Sequence, residues 1–201
     1  MRIYLASRSP RRRELLTQMG IAFDTVIFRD GSRADQETDE TPLPGETPLA
    51  YVERVARAKA EHGSRIIDWR KLPRQPLLSA DTTLEFDGEI IGKPFDAADA
   101  VAILQRLSGQ THRVLTGVAV NHLGRTEFVL SSSEVRFRPL DEAEIRHYVN
   151  TGESLDKAGA YGIQGRAGMF VEHLAGSYSG VMGLPVCETG ELLKKLGLKP
   201  L

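Results

Sequence analysis

The chain has 201 residues, 41% hydrophobic and 26% charged, enough to bury a substantial core as one domain spanning residues 1–201. Its 26 Lys and Arg against 27 Asp and Glu leave a net charge of −1, which argues against nucleic acid as the main partner. The single cysteine, Cys187, excludes an intrachain disulfide, and no apolar run approaches the ~20 residues that span a bilayer, so a cytoplasmic protein without a membrane partner is expected.

In chain order, Ile3 to Ala6 reads as a short buried strand. Ser9-Pro10 then opens a helix, Ser being a good N-cap and Pro suiting the first helical position, with Gly20 as the stop. Residues 29–48 are polar and rich in Pro and Gly, a loop long enough to be functional. A second helix is predicted from Pro48 to His62, followed by a basic connector over residues 63–76. Leu77 to Phe86 reads as a strand, turned by Asp87-Gly88 into Ile90-Ile91. Asp96 with Asp99 starts a helix ending near Ser108-Gly109, and residues 112–121 and 126–138 form a hairpin around Leu123-Gly124. Asp141 with Glu144 makes a capping box for a helix to Asn150. Glycines cluster at positions 159, 162, 165 and 168, and Gly183-Leu184-Pro185 leads into a last helix. Helices interleaved with strands and hairpins indicate an α/β fold with a mixed sheet.

Three features run against local preference. Arg11, Arg12 and Arg13 crowd the first turn of a helix, where the macrodipole favours acids. With the hydroxyls of Ser7 and Ser9 beside free helix N–H groups, they form either an anion site or a solvated basic patch. Lys59 falls on the apolar stripe of the second helix with Leu49, Val52, Val55, Ala56 and Ala60, opposite Glu53, Arg54, Arg57 and Glu61. It either snorkels at the helix edge or aims a cation into a cleft. Asp81 is delivered near the carboxyl end of the segment Leu77-Leu78-Ser79-Ala80, where it would serve as a general base, a metal ligand or a turn residue. Lys93, between Gly92 and Pro94, and Gln164, between glycines, are weaker signals. No His pair has zinc-ligand spacing, and neither a Walker loop nor a G-x-S-x-G elbow occurs. Cations and carboxylates without a nucleophile suit phosphate chemistry with a hard metal.

These segments resemble the Maf family of nucleotide pyrophosphatases nearly end to end. The motifs are Leu5-Ala6-Ser7-Arg8-Ser9-Pro10-Arg11-Arg12-Arg13-Glu14-Leu15-Leu16, Asp39-Glu40-Thr41, Val55-Ala56-Arg57-Ala58-Lys59-Ala60 and Ser79-Ala80-Asp81-Thr82-Thr83. Gly92-Lys93-Pro94, Leu107-Ser108-Gly109, Asp156-Lys157-Ala158-Gly159-Ala160-Tyr161-Gly162-Ile163-Gln164-Gly165 and Gly183-Leu184-Pro185 follow. The resemblance implies an elongated mixed sheet flanked by helices, with two lobes around a central cleft. It implies hydrolysis of a nucleoside triphosphate to monophosphate and pyrophosphate with a divalent cation, Mg²⁺ first and Mn²⁺ or Co²⁺ as alternatives. By the same resemblance Asp81 would accept the proton of water, Glu40 and Asp81 would hold the metal, and Ser7, Arg11, Arg12, Lys59 and Lys93 would line the triphosphate.

Arg11, Thr82 and Gln164 resemble the dTTP/UTP subgroup, with 7-methyl-GTP, ITP or XTP as the alternative substrates. A buried Gln amide would suit the O4–N3–O2 edge of uracil or thymine. The stretch before Asp39 is long, which leaves Glu37 and Glu40 both open as the metal acid. A homodimer is a further implication. The competing class is a regulator of septum formation that acts through a partner; the near-neutral charge and the inward Lys59 weigh against it.

Overall fold

A computed structural model describes residues 2–26 and 38–199; the predicted loop over residues 29–48 is described from Thr38, and Glu37 lies outside. The elements run β1 (Arg2–Leu5), α1 (Pro10–Gln18), β2 (Ala22–Thr25), α2 (Pro48–Trp69), β3 (Leu77–Phe86), β4 (Glu89–Ile91), α3 (Ala97–Leu107), β5 (Thr111–His122), β6 (Arg125–Phe137), α4 (Glu142–Val149), two 3-10 turns (Ala158–Ala160 and Arg166–Phe170), β7 (Val171–Ala175), α5 (Tyr178–Met182) and α6 (Val186–Lys195). Six strands form one mixed sheet in the order β2-β1-β3-β5-β6-β7, and β4 adds to β3 off that path.

The three predicted N-cap side chains each accept from their helix, while Glu144, the return partner expected of the Asp141 box, pairs its carboxylate with Arg138. Ser9 accepts from the Arg12 amide, Asp96 from Asp99 at 2.8 Å and Asp141 from Glu144 at 2.8 Å. Both hairpin turns carry two consecutive positive φ angles, at Asp87-Gly88 and Leu123-Gly124, the backbone that tight right-twisted hairpins require.

The predicted connector over residues 63–76 is corrected: α2 runs on to Trp69. Ile66 and Ile67 continue its apolar stripe against Tyr4 and Leu77. Gly63, which reads as a break, is instead a contact point, because a Cβ there would meet the Leu77 side chain at 2.7 Å. Leu49, read as part of that stripe, is 43% exposed because it lies in the first turn beyond the sheet. The strand β2, the strand β7 and the short α5 had no reading from sequence; β2 exists through parallel pairing with β1.

One break in strand pairing builds the cleft. The first residues of β3 pair in parallel with β1, ending at Leu5↔Leu78, and its last residues pair with β4, starting at Leu84↔Ile91. Between them, along residues 79–83, that edge of β3 has neither neighbour. Asp81 therefore sits in the middle of a ten-residue strand and not near a carboxyl end as expected; the carboxyl end beside it belongs to β1.

Alternation along β3 then divides the side chains. Leu77 and Ser79 face α2, with the Ser79 hydroxyl donating to the Ala56 carbonyl at 2.7 Å. Leu78 and Ala80 face the opposite side, packed with Leu16, Met182 and Leu184. Asp81 continues the first row and Thr82 the second, so two adjacent residues open onto the two faces of one sheet.

Candidate active site

The cleft at this gap has a volume of about 750 Å³. Ser7, Arg11, Arg12, Glu40, Lys59, Asp81, Thr82, Lys93 and Gln164 all line it, so nine of the residues named from sequence meet in one place. Among the described residues its wall carries six Lys and Arg side chains against three acids, Glu40, Asp81 and Asp156. In a chain of net charge −1, that local excess of cations marks the site for a polyanion.

On the α2 face, Lys59 reaches inward with its side chain 14% exposed. Its Nζ lies 2.8 Å from Asp81 Oδ1 and 2.8 Å from Glu40 Oε1, joining the two carboxylates through one ammonium. The snorkelling reading of Lys59 is thereby excluded. The stripe that holds it is anchored by Val52, Val55, Ala56 and Ala60, all fully buried.

The strap carrying Glu40 is held to α2 by two residues that sequence reasoning left out of the site. Arg54 donates from Nε and Nη2 to the Glu46 carboxylate at 2.6 and 2.8 Å, and from its Nη groups to the carbonyls of Asp39 and Thr41. Tyr51 donates its phenol to the Glu40 carbonyl at 3.0 Å. Burial, with the charges of Asp81 and Glu40 adding to it, pushes that phenol up to about 12, so it stays a donor. From sequence Arg54 falls on the side of α2 opposite the apolar stripe. Only the return of the chain over the helix shows its role at the strap.

On the opposite face, Arg12 is the centre. Its Nε donates to the Gly183 carbonyl at 2.8 Å, Nη1 to Ser7 Oγ at 3.2 Å and Nη2 to Thr82 Oγ1 at 3.2 Å. Part of it still opens to the cleft, yet protein atoms crowd the guanidinium and this desolvation lowers its pKa, against the pull of Asp81. Three N–H groups are spent on protein, and the remaining two can meet a ligand. Arg11 donates to the Met182 carbonyl at 3.3 Å. The third arginine, Arg13, is exposed and outside the cleft wall.

Lys93 stands exposed at the rim. Gln164 corrects an expectation: its amide is exposed, not buried, and Nε2 donates to Glu14 Oε2 at 3.0 Å. It sits on the turn just before the second 3-10 segment, at the cleft mouth. That turn is clamped from beneath by Glu153, which accepts from the Arg166 amide and the Tyr148 phenol, each at 3.1 Å.

A family model described as Maf-like protein matches residues 2–196 of this chain. The chain belongs to the Maf-like family. This Maf-like protein is 79% identical, over all of both chains, to a dTTP/UTP pyrophosphatase of Dechloromonas aromatica. It is 62% identical to a dTTP/UTP pyrophosphatase of Aromatoleum aromaticum, covering 98% of this chain and 96% of that one. Among solved structures, a HAM1 protein from Coxiella burnetii superposes with a TM-score of 0.50 at 13% identity, over 97% of this chain and 99% of that one, a likeness of fold. Among the described residues of this Maf-like protein no helix is long and apolar enough to cross a membrane.

Proposed function

We propose that this chain is a nucleoside triphosphate pyrophosphatase acting on dTTP and UTP. The observation that carries the reading is the Lys59 bridge, which joins Glu40 and Asp81 inside a cation-rich cleft. The two full-length relatives named dTTP/UTP pyrophosphatase support it. A triphosphate tail needs several cations, and Arg11, Lys59 and Lys93 supply them with the spare N–H groups of Arg12. Asp81 is 6% exposed and bears a carboxylate that can take the proton from an attacking water. The water oxygen bonds to phosphorus, the bond to the bridging oxygen between the α and β phosphorus breaks, and monophosphate and pyrophosphate leave.

Glu40 and Asp81 fit a divalent cation. Both offer carboxylate oxygens, and the two converge on one point, each 2.8 Å from the Lys59 ammonium. Two acids suffice for Mg²⁺, which takes one or two carboxylates and leaves the rest to phosphate and water. When bound, Mg²⁺, Mn²⁺ or Co²⁺ would neutralise phosphate oxygens. Arg54 and Tyr51 keep Glu40 in register for it. The reading extends to a homodimer working on the cytoplasmic nucleotide pool, with no nucleic-acid partner.

Pyrophosphate release from dTTP, UTP, CTP, GTP, 7-methyl-GTP, ITP and XTP, with and without divalent cation, tests the proposal. The expected result is cation-dependent release that is fastest from dTTP and UTP. A purine preference would overturn the pyrimidine assignment, and no release from any of them would overturn the enzymatic one.

A further inference from the structure

The hydroxyl of Thr82 is fixed in polarity by a chain of hydrogen bonds that runs behind it, away from the cleft. Thr116 Oγ1 lies 2.7 Å from the carbonyl oxygen of Gly180 in α5. A carbonyl cannot donate, so the one hydroxyl proton of Thr116 points there. Thr116 Oγ1 is also 3.0 Å from Thr82 Oγ1. With its proton already committed, Thr116 can only accept in that contact, so the proton of Thr82 points back towards Thr116. On its other side Thr82 Oγ1 accepts from Arg12 Nη2 at 3.2 Å. Thr116 is fully buried, and the two residues are cross-strand partners between β3 and β5, so water does not compete at the Thr116 end of this arrangement.

What Thr82 still has to offer the cleft is a lone pair and no proton. A phosphate oxygen, itself an acceptor, gains nothing from such a group. The part of a nucleotide that suits it carries a donor. The ring N3–H common to uracil and thymine is such a donor, whereas N3 of cytosine bears a lone pair. We propose that Thr116 is a positioning residue for base selection: it holds Thr82 as an obligate acceptor for a donor at ring position 3, which favours pyrimidines with N3–H over cytosine. This rests on the dTTP/UTP reading and supplies the physical basis for its pyrimidine choice.

The test compares kcat/KM for UTP and CTP in the wild type, T116V and T116S. The two nucleotides share ribose and triphosphate, so their ratio isolates the base. In T116V the acceptor behind Thr82 is gone and its proton is free to turn into the cleft, so the UTP:CTP preference falls about tenfold or more, the scale set by one misdirected buried hydrogen bond. T116S keeps the relay and restores the wild-type ratio, which a loss of packing alone would not predict. Equal ratios in wild type and T116V, or a T116S that behaves as T116V does, overturn the relay while leaving the pyrophosphatase reading intact. Should T116V fail to fold, the wild type alone decides, because equal kcat/KM for CTP and UTP contradicts an acceptor-only Thr82 facing ring position 3. A wild type that releases pyrophosphate from neither UTP nor dTTP overturns the underlying reading, and the relay with it.

Discussion

His112 makes the stability of this protein depend on pH in a calculable way. Its ring is 2% exposed on β5, edge-on to Phe137 and Tyr161, with Nε2 2.8 Å from the Tyr161 hydroxyl. Burial holds the imidazole at about 4, against 6.5 for the free side chain. A group whose folded pKa is depressed in this way is neutral in the native state, while the unfolded chain takes up its proton first. The contribution to stability is therefore full above about pH 6.5 and drains away as pH falls towards 4. Each tenfold difference in proton affinity is worth ~1.4 kcal/mol, so the loss between neutral pH and the folded pKa is about 3 kcal/mol. Against a typical total of ~5–15 kcal/mol that is a large share. Carboxylates titrate in the same range, so the informative quantity is a difference between variants. His112→Phe keeps the aromatic packing and removes the titrating ring, leaving the Tyr161 hydroxyl unpaired at ~1–3 kcal/mol at every pH. Urea unfolding of both proteins from about pH 7 to about pH 4 should give curves that converge by about 3 kcal/mol as the pH falls. Parallel curves would refute the reasoning: His112 would then titrate natively near its free value.

Three further outcomes are expected. Asp81→Asn should lower kcat by ~10²–10⁴-fold. Nucleotide affinity, measured by calorimetry, should be kept or tightened, since a negative charge next to a polyanion is lost; near-normal turnover would remove Asp81 as proton acceptor. Arg54→Ala should release the strap over Glu40 and raise the divalent-cation concentration for half-maximal activity by ~10-fold or more, as loss of an outer-shell support does; an unchanged metal titration counts against the latch. Gly165→Ala would set a Cβ 2.0 Å from Glu153 Oε1 and dislodge the clamp beneath Gln164. A loss of ~1–3 kcal/mol in thermal unfolding, with a raised KM for UTP, is expected; an unaltered KM would detach Gln164 from substrate binding.

Much of this molecule is legible along the chain because the signals are local. Ser9-Pro10, Asp96/Asp99 and Asp141/Glu144 announce helix starts through bonds that span three residues, and the apolar stripe of α2 places Lys59 inward. The run of motifs resembling Maf proteins points to the same nine cleft residues that the fold assembles. Other features depend on neighbours far away in sequence, and no local pattern carries them. Gly63 ends a helix by propensity but continues one because Leu77 packs into the space it leaves. Whether Asp81 stands at a strand end or mid-strand depends on β1 stopping at Leu5 and β4 ending at Ile91, opposite Leu84, a matter of pairing. Arg54 is only a charge opposite the apolar stripe until the strap folds back onto it, and Gln164 reads as buried until its turn is placed at the cleft mouth. The polarity of Thr82 is set by Thr116 and Gly180, residues on another strand and a short helix. Periodicity and capping are properties of a few consecutive residues, so the chain alone determined most of the elements and the chemistry they carry. Hydrogen-bond direction and the facing of β3 arise where distant segments close on one another, so only the tertiary structure decided how that chemistry is aimed.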